Sequence, residues 1–219
     1  MNTYRLNASR LSLLSLLSLI TLFLSSCGGD YTPKPSAYLR IDMPEHRYAG
    51  IADTIFGAAG LPGGGGWGSL PFTFEANTCA VPTAKDAPRG EVWLDLNYPQ
   101  WNGVVFLTYM PLHSPGDLRG QVDTSSRLLE KHYQVATGID EQRYDSDDGT
   151  VHAVTWRLRG SKVASTYQFY ATDSSRHFLR GALFINQAPN NDSLAPVIEY
   201  LQADLDHLVE TLRWRTAAR

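Results

Sequence analysis

The feature that most constrains the fold is a run of three strand-like segments in the second half of the chain. The segments are Val151–Leu158, Val163–Ala171 and His177–Asn186, and only short polar or glycine-containing turns separate them. Connections this short join antiparallel neighbours, so the run predicts a β-meander. The third segment has apolar side chains on both faces, which indicates a central strand covered on both sides.

A hairpin and two shorter strands are predicted upstream of this run. Trp93–Tyr98 alternates apolar and polar residues, whereas Val104–Tyr109 is rich in β-branched and aromatic side chains. The Pro, Asn and Gly residues between them favour a tight turn. Phe72–Glu75 and Tyr38–Asp42 are further strand candidates.

Two segments have the periodicity of helices. Apolar-face residues recur at steps of three or four between Asp117 and Val135, and Asp117 is a candidate cap or first-turn residue. Ser193 is a candidate N-cap of a final helix. The apolar stripe of that helix consists of Leu194, Val197, Leu201, Leu205, Leu208 and Leu212. We therefore predict an α+β domain, in which an antiparallel β-sheet is packed with two main helices.

The N-terminus has the charge and hydropathy order of a bacterial lipoprotein signal peptide. Two arginines precede an apolar run from Leu11 to Leu24. This run is shorter than the roughly 20 residues that a membrane-spanning helix needs, although an unprocessed anchor helix is the alternative. Small residues at positions 25 and 26 favour cleavage before Cys27, and a thiol at that point accepts a diacylglyceryl group. We predict that residues 1–26 are removed and that Cys27 is the lipid attachment site.

Three regions are expected behind the cleavage point. Residues 27–37 include Pro33 and Pro35, which favour an extended tether. A single domain is predicted from residue 38 to residue 219. The glycine-rich stretch at residues 57–68 is predicted to be a flexible surface loop, because it lacks the lysine that a phosphate-binding loop requires.

The charge of the mature chain argues against nucleic-acid binding. Cleavage would remove two of the 19 basic residues and none of the 22 acidic ones, which leaves a formal charge of −5. Nucleic-acid binding usually requires a basic patch or stripe. Cys79 is then the only cysteine without a lipid, so no disulfide within the chain is expected, and we interpret it as a semi-buried small residue. An intermolecular bridge or a reactive thiol is the alternative for Cys79.

No catalytic set is predicted. Asp173, Ser174, Ser175 and His177 include the residue types of a catalytic triad, but triads are assembled by geometry and not by closeness in sequence. Asp-Ser-Ser is common turn chemistry, so a turn is the favoured interpretation and a hydrolase the alternative.

No metal or cofactor site is predicted either. Residues 145–149 resemble the start of a calcium loop, but Trp156 occupies the position of the bidentate glutamate, which favours a solvated turn. The six histidines are dispersed, with no short spacing typical of paired metal ligands.

His177 and Arg180 are the polar residues of most interest in the third meander strand. Arg180 shares a strand face with Phe178, Ala182 and Phe184, where a buried charge needs a partner. The sequence leaves two roles open for these residues: a structural role, with Arg180 in an ion pair, or a place on an interaction surface.

Long segments of the mature chain resemble the gliding motility lipoprotein GldD family. The resemblance rests on YQFYATDS (167–174), HFLRGALFIN (177–186) and DSLAPVIE (192–199), and at the front on DYTPKP (30–35) and YLRIDMP (38–44). It covers most of the chain after Cys27 in the same order. Two cysteines that are common in the family correspond here to Leu70 and Val92, so a disulfide that relatives use is absent.

The resemblance implies a non-enzymatic outer-membrane lipoprotein that is required for gliding motility and for type IX protein secretion. It implies an assembly or stability factor whose partners are the membrane, through Cys27, and other envelope proteins of that machinery. The order of strands and helices resembles a Mog1/PsbP-like sandwich. In bacteria of this kind, acidic residues after the lipidated cysteine favour surface display, and here only Asp30 follows the two glycines, which favours the periplasmic face.

An envelope lipoprotein that binds a small ligand or a glycan is the competing hypothesis. Trp67 and Trp101 are the aromatic residues that would contact such a ligand. A deep apolar pocket with convergent polar groups would favour it.

Overall fold

The computed structural model describes residues 42–51, 70–88, 90–186 and 190–215. The predicted signal peptide, Cys27, the tether and the glycine-rich stretch at 57–68 lie outside the described residues. The predicted strand at 38–42 also lies outside them apart from Asp42, which belongs to no strand. The described residues fall in one compact unit.

The described chain contains eleven strands and two α-helices. The strands are β1 (Tyr48–Gly50), β2 (Phe72–Thr73), β3 (Glu75–Asn77), β4 (Val81–Lys85), β5 (Val92–Tyr98), β6 (Gly103–Pro111), β7 (Gly138–Asp145), β8 (His152–Arg159), β9 (Tyr167–Thr172), β10 (His177–Ile185) and β11 (Arg213–Trp214). The helices are α1 (Pro115–Glu130) and α2 (Asn191–Thr211). The predicted α+β class is confirmed.

Seven strands form one antiparallel sheet in the order β4-β5-β6-β10-β9-β8-β7. Strands β8, β9 and β10 are the predicted meander, and β5 and β6 are the predicted hairpin. As predicted, β10 is central and pairs with both β6 and β9. Two small sheets join β1 to β3 and β2 to β11.

The two faces of the large sheet are covered by different helices. The larger core joins the buried stripe of α2 to the inward residues of the sheet, among them Leu179 and Leu183 of β10. A smaller cluster joins Leu129 of α1 to Trp156 and Leu158 of β8. A central strand with apolar residues on both faces is therefore buried on both sides.

Asp117 lies in the first turn of α1, as predicted, whereas the end of α1 and the start of α2 differ from the prediction. Helix α1 begins at a capping box, in which Ser114 Oγ accepts from the Asp117 amide and Asp117 Oδ2 accepts from the Ser114 amide. It ends at Glu130 and not at Val135, because residues 131–135 form turns. Helix α2 begins before Ser193, with Asn190 at the N-cap position, so the predicted Ser193 cap is wrong.

Candidate functional site

The turn before His177 is organised by one carboxylate. Asp173 Oδ1 accepts hydrogen bonds from the backbone amides of Ser175, Arg176 and His177, at 2.9, 2.7 and 2.8 Å. Burial raises the pKa of Asp173, but these donors outweigh it and hold that pKa below its ordinary value. The carboxylate therefore builds the turn, as the favoured interpretation of Asp-Ser-Ser predicts.

The His177 ring is enclosed on two sides. Its Nδ1 lies 2.9 Å from the Tyr109 hydroxyl, and the ring stacks on Trp214 with centroids 5.0 Å apart and 7° between the planes. Burial lowers the pKa of His177, so the imidazole is neutral at pH 7. Burial also raises the pKa of Tyr109, to about 12. The pair is thus an uncharged hydrogen-bonded contact at the start of β10.

A cleft of about 410 Å³ opens beside His177. The 148–150 turn, the β9–β10 turn and the segment 213–215 line it. Three arginines belong to this lining: Arg176, Arg213 and Arg215. Sequence reasoning missed this group, because Arg176 is distant from the other two along the chain; the only local signal is Arg-Trp-Arg at residues 213–215.

Arg180 is not part of this cleft. Residues 177 and 180 project from opposite faces of β10, because side chains alternate along a strand. Arg180 is partly buried, and its Nη2 donates to Oε1 of the buried Gln168 at 3.0 Å. Within the described residues its hydrogen-bond partner is thus an amide, where the sequence suggested a carboxylate. Burial lowers the pKa of Arg180.

The acidic turn at residues 145–149 is closed by its own side chains. Asp148 Oδ1 accepts from Ser146 Oγ, the Thr150 amide and Thr150 Oγ1, at 2.6, 3.1 and 2.8 Å. Asp145 contacts His152 Nδ1 at 2.6 Å. These contacts agree with the solvated turn and not with a calcium loop. No cluster of His, Cys, Asp or Glu able to hold a metal occurs in the part of the chain that the structure describes.

The exposure of Cys79, Trp101, Leu70 and Val92 bears on the roles that the sequence suggests for them. Cys79 is a free thiol of intermediate exposure. Trp101 packs against Tyr200, with ring centroids 4.9 Å apart, so its ring is partly buried in the domain; Trp67 lies outside the described residues. Leu70 and Val92, which stand where relatives have cysteines, are both buried in the larger core.

None of the described helices is long and apolar enough to span a membrane.

A search of curated proteins gives no match. Among solved structures, the solution structure of cyanobacterial PsbP (CyanoP) from Synechocystis sp. PCC 6803 is similar, with a TM-score of 0.41 and 10% sequence identity. That similarity covers 84% of this chain and 100% of the other.

Comparison with protein families confirms the resemblance seen in the sequence. The family described as gliding motility lipoprotein GldD matches residues 66–214. The matched range contains the whole seven-stranded sheet, both α-helices and the arginine-lined cleft apart from Arg215. Because this range is more than half of the chain, the protein belongs to the gliding motility lipoprotein GldD family.

Proposed function

We propose that this protein is a non-enzymatic lipoprotein of the outer membrane, held at the periplasmic face, that acts as an assembly or stability factor for gliding motility and type IX protein secretion. The observation that carries the proposal is membership of the GldD family across both helices and the whole large sheet. That membership associates the chain with motility and with a lipid anchor.

The side chains of the described domain support a non-enzymatic role. The Asp173 and Asp148 carboxylates are occupied by hydrogen bonds within their own turns. His177 Nδ1 contacts a tyrosine hydroxyl and not a serine. A general base must reach the proton that it abstracts, and these groups are already engaged in local structure.

Anchoring is proposed to occur at Cys27. Each buried methylene of an acyl chain contributes about 0.8 kcal/mol, so two or more chains hold a protein at a membrane nearly permanently. A factor that serves an envelope machine benefits from this attachment, because it confines the domain to the surface where the machine assembles.

Complementation of a deletion strain tests the proposal. The strain receives the wild-type gene, Cys27→Ala or the matched control Cys79→Ala, and colony spreading, secretion of type IX cargo and detergent partition of the protein are measured. We expect Cys27→Ala to leave the detergent phase and to lose spreading and secretion, whereas Cys79→Ala behaves as wild type. Normal spreading and secretion in the deletion strain would refute the motility and secretion role, and retention of Cys27→Ala in the detergent phase would refute lipidation at Cys27.

The side of the membrane needs its own measurement. Protease shaving of intact cells should leave the protein uncut and should digest it once the outer membrane is permeabilised. Digestion in intact cells would place the domain on the cell surface.

A further inference from the structure

We propose that the arginine-lined cleft beside His177 is a binding site for a phosphoryl group. The cleft is the cavity of about 410 Å³ whose lining includes Arg176, His177, Arg213, Trp214 and Arg215. This inference goes beyond the proposed function and does not depend on it.

The cleft concentrates positive charge in a protein whose overall charge is negative. Within the described residues, the guanidinium groups of Arg176 and Arg215 have no hydrogen-bond or ion-pair partner. The third arginine, Arg213, uses Nη1 to bind the carbonyls of Glu210 and Leu212 at the end of α2, at 3.0 and 2.7 Å. Two guanidinium groups are therefore free for a ligand, and a third is fixed beside them.

The two acidic residues of the cleft make hydrogen bonds within their own turns. Asp148 accepts three hydrogen bonds from Ser146 and Thr150, and Asp173 accepts from three successive backbone amides and from Ser175 Oγ. Both carboxylates keep their negative charge, so the lining, with three arginines and two aspartates, carries a net charge of +1. The donors that remain for a ligand are mainly cationic.

The backbone holds the two free arginines in place. The Arg176 amide donates to Asp173 Oδ1 at 2.7 Å, and its carbonyl accepts from the Leu112 amide at 2.8 Å. The Arg215 amide donates to the Pro71 carbonyl at 2.8 Å. Binding therefore orders side chains only, which lowers its entropic cost.

The number of arginines favours a phosphoryl group over a carboxylate. A carboxylate has two oxygens, which a single arginine fork can satisfy. A phosphate monoester has three terminal oxygens and a charge of about −1.5 to −2 at pH 7, so it can engage several guanidinium groups. A lipid headgroup and a soluble phosphate compound both present this chemistry.

Calorimetry on the purified full chain in dodecyl maltoside tests the site. Inorganic phosphate is titrated at constant ionic strength, with acetate as the carboxylate comparison. We expect saturable phosphate binding that Arg176→Gln and Arg215→Gln each weaken about tenfold, as expected for loss of a charged hydrogen-bond donor. Arg119→Gln on α1 is the matched control, because it removes an exposed arginine outside the cleft.

Three results would overturn the proposal: no saturable phosphate binding, equal binding of acetate, or an equal loss in Arg119→Gln. Thermal unfolding of each variant verifies that it is folded before binding is compared.

A second titration compares phosphatidic acid with diacylglycerol, each in mixed micelles. Arginine-dependent binding of phosphatidic acid tighter than that of free phosphate identifies a lipid headgroup as the source, and equal or weaker binding identifies a soluble phosphate compound.

Discussion

His46 Nδ1 lies 2.7 Å from Asp204 Oδ1, although 158 residues separate the two positions in the sequence. Asp204 is only 3% exposed, in the middle of α2. Asn77 Nδ2 lies 3.0 Å from both carboxylate oxygens of Asp204 and 2.8 Å from the Tyr200 hydroxyl. One buried carboxylate therefore holds both the segment before β1 and the strand β3 against α2.

Asp204→Asn should destabilise the domain by about 2 kcal/mol, because hydrogen bonds to a buried charged acceptor are worth about 1.5–3 kcal/mol. The amide that replaces the carboxylate also points its N–H groups at Asn77 Nδ2, which is itself a donor, or at His46. Urea unfolding with an unchanged m-value measures the loss. Asp123→Asn on the exposed face of α1 is the matched control and should change stability by less than about 0.5 kcal/mol. Equal effects of the two substitutions would contradict this role of Asp204.

Local pattern explains which strands the sequence predicts and which it misses. The meander and the β5–β6 hairpin alternate side chains around buried positions such as Leu94 and Phe169, so their periodicity is visible. Strand β7 is an edge strand with mostly exposed polar residues, and the edge strand β4 contains Pro82, so neither has an apolar face to detect.

Contacts between distant segments are not encoded in any local pattern. The His46–Asp204 contact and the group formed by Arg176, Arg213 and Arg215 require the folded topology to bring segments together. The turn chemistry of Asp173 is different, because its donors are the next few residues of the chain, and the sequence predicts it correctly.

Gly181 is required by a close approach within the sheet. A Cβ atom at this position would lie 2.0 Å from Cε1 of Phe169, whose ring is 1% exposed. We expect Gly181→Ala to destabilise the domain by about 3 kcal/mol, because the buried ring must move in a packed core. Gly120→Ala on the exposed face of α1 meets no atom within 4 Å and should stabilise by about 0.5–1 kcal/mol. Thermal or urea unfolding measures the stability of both variants. A Gly181→Ala variant as stable as the wild type would contradict the close approach.

Stability should fall as the pH is lowered through the ordinary histidine range. Burial lowers the pKa of His177; Asp173 raises this pKa and Arg176 lowers it, and the net shift is downward. Burial also lowers the pKa of His132, and the nearby Arg180 and Lys131 lower it further. The unfolded chain therefore takes up protons near pH 6.5 before the folded domain does, so the free energy of unfolding decreases from pH 7 towards pH 5.

Substitution identifies the histidines that cause this slope. His132→Gln and His177→Gln should each make the free energy of unfolding less dependent on pH between 7 and 5, whatever they do to its value at pH 7. Arg119→Gln, an exposed substitution on α1 that removes no histidine, provides the control and should leave the slope unchanged. Urea unfolding midpoints at several pH values measure this slope. A slope that neither substitution alters would show that other groups cause it.

The turn that contains Asp148 should resist acid well below the ordinary range of an aspartate. The hydroxyl of Ser146, then the amide and hydroxyl of Thr150, lower the pKa of Asp148 to about 2. A lowered folded pKa means that the ionised turn is stabilised above about pH 4 and that this contribution is lost as the pH falls towards 2.

Carbon-detected NMR titration of the Asp148 carboxyl group tests this assignment. Thr150→Val removes one hydroxyl donor from an exposed position and keeps the amide, so it should raise the pKa of Asp148 towards 4 without unfolding the domain. Ser146→Ala should raise it further, because the Ser146 hydroxyl makes the largest contribution. An Asp148 pKa near 4 in the wild type, or one that neither substitution moves, would show that the turn does not hold the carboxylate in its ionised form.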